Sequence, residues 1–190
     1  MTKPGKPDRL PAGTTPEGDG IASGTGRVGV DAYIDFLCPY CQRFELAAGP
    51  DLDAMSDAGQ ITLVYHPMNF LDEASTTRYS SRAAAASGCA SDQGRFRQYA
   101  RELFVSQPPE GGAGLTDADL VELGREAGLD LTAFGHCVAE HRYLDWPGYV
   151  TARAAHAGIE ATPTILVAGT PVRPDAESIA AAVRSGPAER

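Results

Sequence analysis

Val28, Val30, Ala32, Ile34 and Phe36 alternate with Gly29, Asp31, Tyr33, Asp35 and Leu37. A period of two puts one set on each face of a β-strand. Residues 39 to 57 change to helical spacing, which turns Phe44, Leu46 and Ala47 toward the core. Pro50 should kink or break that helix, because it has no N–H to donate and its ring crowds the preceding turn. Ile61 to Tyr65 is rich in β-branched residues and predicts a second strand, closed by His66 and Pro67. His66 reads as a turn residue there.

From about residue 74 to 158 strand patterns are absent and helical ones follow one another. Arg78 to Cys89 is alanine-rich. Phe96, Tyr99, Ala100 and Leu103 share one face of the next helix. Thr116 is placed to cap a helix carrying Leu120, Leu123 and Ala127. Leu131, Phe134 and Val138 mark a shorter one, with Cys137 beside the stripe, and residues 145 to 157 a last one with Pro147 in its first turn. Thr164 to Val167 is a short buried-strand run. A turn at residues 168 to 171 leads to a short edge strand at Val172. Asp175 then caps a final helix with Ile179, Ala182 and Val183 facing inward. The expected order is β, α, β, helical block, β, β, α: an α/β domain over 27–73 and 159–185 with a helical insertion over 74–158. Residues 1–26 hold four prolines and six glycines and read as a flexible lead-in; 186–190 form a tail.

With 190 residues the chain suits one domain, or one domain carrying an insertion. A net charge of −9 argues against a nucleic-acid partner, and no apolar run is long enough to span a membrane. Residues 1 to 7 lack the apolar core of a signal peptide. If Met1 is the native start, the chain is expected in the cytoplasm; a signal or anchor removed from a longer chain is the other reading.

The chemistry concentrates in four cysteines, 38, 41, 89 and 137. Cys38-Pro39-Tyr40-Cys41 stands between the first strand and the first helix. A sulfur at a helix N-terminus meets unpaired N–H groups and the positive end of the dipole, which favour the thiolate. Pro39 suits the first helical position. Cys38 is therefore expected to be the exposed nucleophile and Cys41 the shielded, resolving thiol, exchanging disulfides through a mixed disulfide. Zinc is the competing reading. It ordinarily needs two closely spaced ligand pairs, whereas Cys89 and Cys137 stand far apart and only His136 adjoins either. His141 and His156 have no metal-pair partners, and Thr76-Thr77 and Ser80-Ser81 look like helix-start residues.

Phe36-Leu37-Cys38-Pro39-Tyr40-Cys41-Gln42-Arg43-Phe44-Glu45 resembles the active-site segment of the DsbA-like branch of the thioredoxin superfamily. Thr162-Pro163 before the apolar Thr164 to Val167 resembles its cis-proline loop, and the helical block matches that branch's insertion. The resemblance implies a thioredoxin-like fold with the insertion between the second and third strands. It implies catalysis by Cys38 and Cys41, tuned by Pro39, Tyr40 and Asp35. Thr162 and the cis Pro163 would bind substrate, and Cys89–Cys137 would be a structural disulfide. Protein thiols and disulfides would be the substrates of a monomer served by a redox recycling partner, with no cofactor or metal, in the cell envelope. Glutaredoxins share the Cys-Pro-Tyr-Cys spelling but are about half as long and lack the insertion. Many relatives carry a buried acid six residues before the first cysteine; Ala32 stands there. Asp35, three residues before Cys38, could substitute for it, but reads first as a solvated aspartate at the loop edge. The direction of electron flow stays open. So do two rivals: a glutathione-dependent isomerase on the same fold, which usually has serine at the nucleophile position, and a non-catalytic binding module.

Overall fold

The computed structural model describes residues 5–186. Its sheet has five strands in the order β1 (Ile21–Ser23), β3 (Ile61–Pro67), β2 (Val28–Ile34), β4 (Thr164–Val167) and β5 (Thr170–Val172). Only β2 and β3 run parallel, with Ala32 beside Tyr65; the other pairs are antiparallel. The parallel pair requires a crossover, supplied by α1 (Pro39–Asp57). Five helices follow between β3 and β4: α2 (Tyr79–Ser91), α3 (Phe96–Val105), α4 (Asp117–Glu126), α5 (Leu131–Ala139) and α6 (Trp146–His156). α7 (Ala176–Ser185) closes the order, its Asp175 side chain accepting from the Ser178 amide. Thr116 caps α4 in a capping box with Asp119. The chain thus has the expected thioredoxin-like fold with its helical insertion. β1 was not anticipated, so the insertion falls between the third and fourth strands.

α1 is unbroken across Pro50. Ala48 and Leu52 on either side are locked in the core, so the helix forgoes one bond, at the Leu46 carbonyl, rather than bending. Its inward face is also displaced from expectation. Leu46 is 49% exposed and Ala47 is exposed, while Cys41, Phe44, Glu45 and Ala48 are buried. Glu45 lies in the interior, where the Tyr65 hydroxyl donates to its carboxylate at 2.9 Å. Burial pushes the Glu45 carboxyl up to about 7. A carboxyl whose folded pKa lies above its unfolded value loses stability as pH rises from the unfolded value, 4.5, through the folded one. The loss amounts to about 3 kcal/mol at most. Glu45→Gln keeps an acceptor for Tyr65 and removes the titration. Its urea midpoint should match the parent's near pH 4 and exceed it near pH 8; equal midpoints at both would rule this out.

α2 is the axis of the insertion. Ala83 to Ala86, Gly88 and Cys89 are buried, and these small residues let α3, α5 and α6 pack closely on it. A Cβ at Gly88 would come within 2.8 Å of Pro11 and 3.1 Å of Tyr143. Cys89 on α2 is joined to Cys137 on α5.

The N-terminal segment departs furthest from expectation. Over its described residues it is a strap fixed to the core, not a flexible lead-in. The Trp146 indole donates to Gly18 O at 2.8 Å, the Tyr149 hydroxyl to Glu17 O at 2.8 Å and the Ser91 hydroxyl to Ala12 O at 2.6 Å. Arg153 pairs with Asp19 at 3.0 Å. His66, inside β3 rather than in a turn, is buried with its ring stacked on Tyr33. Its nitrogens face Asp19 O at 2.7 Å and Asp31 Oδ1 at 3.0 Å. The strap's own residues lack hydrophobic periodicity because distant side chains hold its backbone carbonyls.

Candidate active site

β2 ends at Ile34, and the chain turns through Asp35, Phe36 and Leu37 into α1 with Cys38 at the N-cap and Pro39 at the first helical position. The turn closes with Cys38 N donating to Asp35 O at 3.1 Å. The insertion grips it from outside. Gln107, just past α3, donates its amide to Phe36 O at 2.8 Å and to Cys38 O at 3.1 Å, and Gln42 reaches back to Phe104 O at 2.7 Å.

Both cysteines are free thiols. Cys41 is fully buried. Cys38, expected to be exposed, is only 4% exposed, because its sulfur is tucked against the facing loop. That loop is Thr162-Pro163, joined by a cis peptide bond. The protonated Cys38 thiol donates to Thr162 O at 3.4 Å. The ionised sulfur is held by the Cys41 thiol first of all, then by the Thr162 side chain and the amides of Cys41 and Tyr40; these outweigh burial and bring Cys38 down to about 6. Burial, with the neighbouring Cys38 sulfur, pushes the Cys41 thiol far up. One sulfur is poised to ionise at neutral pH and the other is kept protonated.

Asp35 corrects the reading of a solvated loop-edge residue: it is 0% exposed. Its Oδ1 accepts from Leu37 N at 2.8 Å and Ser80 Oγ at 2.7 Å, its Oδ2 from Leu71 N at 2.9 Å, and its own N–H points at Cys41 Sγ, 3.5 Å away. Burial raises its carboxyl to about 6, against the pull of those donors. Ala32, fully buried, pairs with Tyr65 and offers no ionisable group. Ser80 and Gln107 are site residues that sequence reasoning missed. Ser80 was read as a helix-start serine, and nothing local marks Gln107.

The opening beside the dithiol is a groove of about 500 Å³, lined by Tyr40, Arg43, Phe44, Ala47, Thr162, Pro163 and Pro174 to Ala176. Tyr40 is 65% exposed, with the Arg43 guanidinium 4.4 Å above its ring. Among the described residues the large exposed apolar side chains are Tyr40, Leu46, Phe70 and Val105. Of these, Tyr40 lines the groove, where its exposed ring offers an apolar contact to a polypeptide side chain.

A family model described as thioredoxin matches residues 22–184. Among solved structures, the reduced form of the disulfide bond oxidoreductase DsbG from Mycobacterium tuberculosis is 34% identical with a TM-score of 0.72, covering 83% of this chain and 81% of that one. Reduced DsbA from the same organism is 31% identical with a TM-score of 0.72, covering 88% and 99%. Of curated proteins, the serine/threonine-protein kinase PknE of M. tuberculosis H37Rv is 35% identical over 120 residues, 60% of this chain. The match spans only 21% of that kinase's length.

Proposed function

The chain belongs to the thioredoxin family, in the DsbA-like branch of thiol–disulfide oxidoreductases, and from that premise we propose that its Cys38-Pro39-Tyr40-Cys41 turn exchanges disulfides with polypeptide substrates. The observation that carries this reading is the pairing of an ionisable Cys38 sulfur, 3.4 Å from Thr162 O, with a buried and protonated Cys41 on the same helix. A substrate segment lies along Thr162-Pro163 and adds backbone hydrogen bonds like an edge strand, with an apolar side chain on Tyr40. Cys38 forms the mixed disulfide and Cys41 resolves it. Pro39 sets the start of α1, and Tyr40 shapes the mouth of the groove.

The favoured direction is oxidation of the substrate. A thiolate stabilised only in the reduced protein makes the disulfide easier to reduce and thus a better oxidant. The Cys89–Cys137 disulfide supports work in an oxidising compartment outside the cytoplasm, where such bonds persist. No helix among the described residues is long and apolar enough to cross a membrane.

The test is Cys41→Ser, with Cys38 as a free thiol, incubated with an unfolded test protein whose cysteines are held as mixed disulfides with thionitrobenzoate, so that Cys38 attacks the protein sulfur and thionitrobenzoate leaves. A mixed disulfide through Cys38 should accumulate on non-reducing gels, while the parent protein turns over without it. Failure to trap an adduct, together with a parent inactive on both reduced and disulfide-bonded substrates, would defeat the reading.

A further inference from the structure

The groove beside the dithiol is apolar along much of its wall, through Phe44, Ala47, Pro163 and Ala176, and it carries two charged side chains, Arg43 and Asp175. Asp175 is committed to the fold. It caps α7 by accepting from Ser178 N at 2.7 Å and Ser178 Oγ at 3.0 Å, and Arg173 stands 3.6 Å from its Oδ2. Other arginines are taken up by carboxylates, Arg97 by Asp53 and Asp57, and Arg101 by Asp53. Arg43 is exposed and, among the described residues, pairs with no carboxylate. What holds it is the Tyr40 ring, whose centre lies 4.4 Å from the guanidinium carbon. A guanidinium over a ring face keeps its N–H edge open, and that edge matches a carboxylate through two parallel hydrogen bonds. The ring also restrains a long side chain that binding would otherwise have to order.

We infer that Arg43 makes the groove selective for polypeptides that carry aspartate or glutamate next to the reacting cysteine. This deepens the exchange reading of Cys38 and Cys41 and rests on it. Thr162, against whose carbonyl the Cys38 thiol lies, and Pro163 line the same groove as Arg43. A segment whose cysteine reaches Cys38 along that loop brings the flanking residues past the guanidinium. The preference runs against the charge of the whole chain. At −9 the protein repels an acidic segment from a distance. At physiological salt the Debye length is about 8 Å, so remote carboxylates are largely screened and the cation in contact decides. A lysine or arginine at the same place meets like charge, and a neutral side chain leaves the guanidinium to water.

The experiment uses three capped pentapeptides that differ only in the residues on both sides of one cysteine: aspartate, asparagine or lysine. Each is supplied as a mixed disulfide with thiopyridine, whose neutral leaving group brings no charge into the groove. The Cys38 thiolate bonds to the peptide sulfur, the peptide–thiopyridine bond breaks, and thiopyridine leaves with the electron pair and takes a proton from water. Its rate of release by the reduced protein is divided by the rate of the same peptide with mercaptoethanol, which removes the peptide's own reactivity. On this scale the aspartate peptide should react about three- to fivefold faster than the asparagine peptide, the range of an exposed ion pair, and the lysine peptide should be slowest. Arg43→Gln should bring the aspartate-to-asparagine ratio to one or below. Arg43→Glu should put the lysine peptide first, and Arg43→Lys should keep part of the ratio, having the charge without the fork. A ratio taken within one variant cancels any change in the reactivity of Cys38 itself. A parent ratio of one, or an Arg43→Gln ratio equal to the parent's, overturns the inference. If the parent releases no thiopyridine from any of the three peptides, the exchange reading of Cys38 and Cys41 fails, and the selectivity with it.

Discussion

Cys38→Ser should abolish disulfide exchange, by at least on the order of 10³-fold against the parent, without lowering the Tm of the reduced protein at about pH 5, where the Cys38 thiol is protonated. The serine hydroxyl fits the same space against Thr162, so the fold keeps its packing. What is lost is a sulfur that ionises at about 6, leaving about nine in ten molecules as thiolate at neutral pH. In the parent, alkylation by iodoacetamide should rise tenfold per pH unit below that value and flatten above it. A midpoint near the ordinary 9.0 would show that the N-terminal turn of α1 does not activate the thiol. A folded pKa below the unfolded one stabilises the reduced protein as pH rises past about 6, and the gain is complete only above 9.0. Near pH 7 only the first part of that window counts. The reduction potential of the Cys38–Cys41 couple should therefore fall between those of thioredoxin and a strongly oxidising DsbA, roughly −270 to −120 mV. Equilibration with glutathione buffers would measure it. A potential below roughly −270 mV would mark a reductant.

Replacing both Cys89 and Cys137 by alanine should cost about 4 kcal/mol, from the entropy of the unfolded loop the bond closes. The bond spans a sequence separation of 48, and for a chain of this size the loss lowers Tm by roughly 8–16 °C. Each sulfur is nearly buried, so the small cavities add to the penalty. Neither cysteine contacts the groove beside Cys38, so exchange per folded molecule should hold at 25 °C. Thermal melts of the double variant, followed by circular dichroism, check this; a shift below about 2 °C would mean that packing alone holds α2 to α5.

The elements were legible because their signals are local. Alternation marked β2, Thr116 and Asp175 marked helix starts, and the Cys-Pro-Tyr-Cys turn between strand and helix marked the candidate site. Pro163 became meaningful only as the partner of that turn. What was misread depends on contacts distant in sequence. β1 pairs through backbone groups with β3, some forty residues on. Asp35 looked solvated because its partners, Leu71 just past β3 and Ser80 in α2, arrive from far along the chain. Glu45 sits where helical spacing suggested Leu46, an exchange that no apolar pattern announces.

The Cys89–Cys137 bond has a mechanical consequence. It closes a covalent ring that contains all of α3 and α4. Tension applied at the two ends of the oxidised chain bypasses that ring, because the load passes from residue 89 to residue 137 through sulfur. The stretched chain falls short of its reduced length by roughly 160 Å. Gln107, which holds the dithiol turn, lies within the shielded stretch.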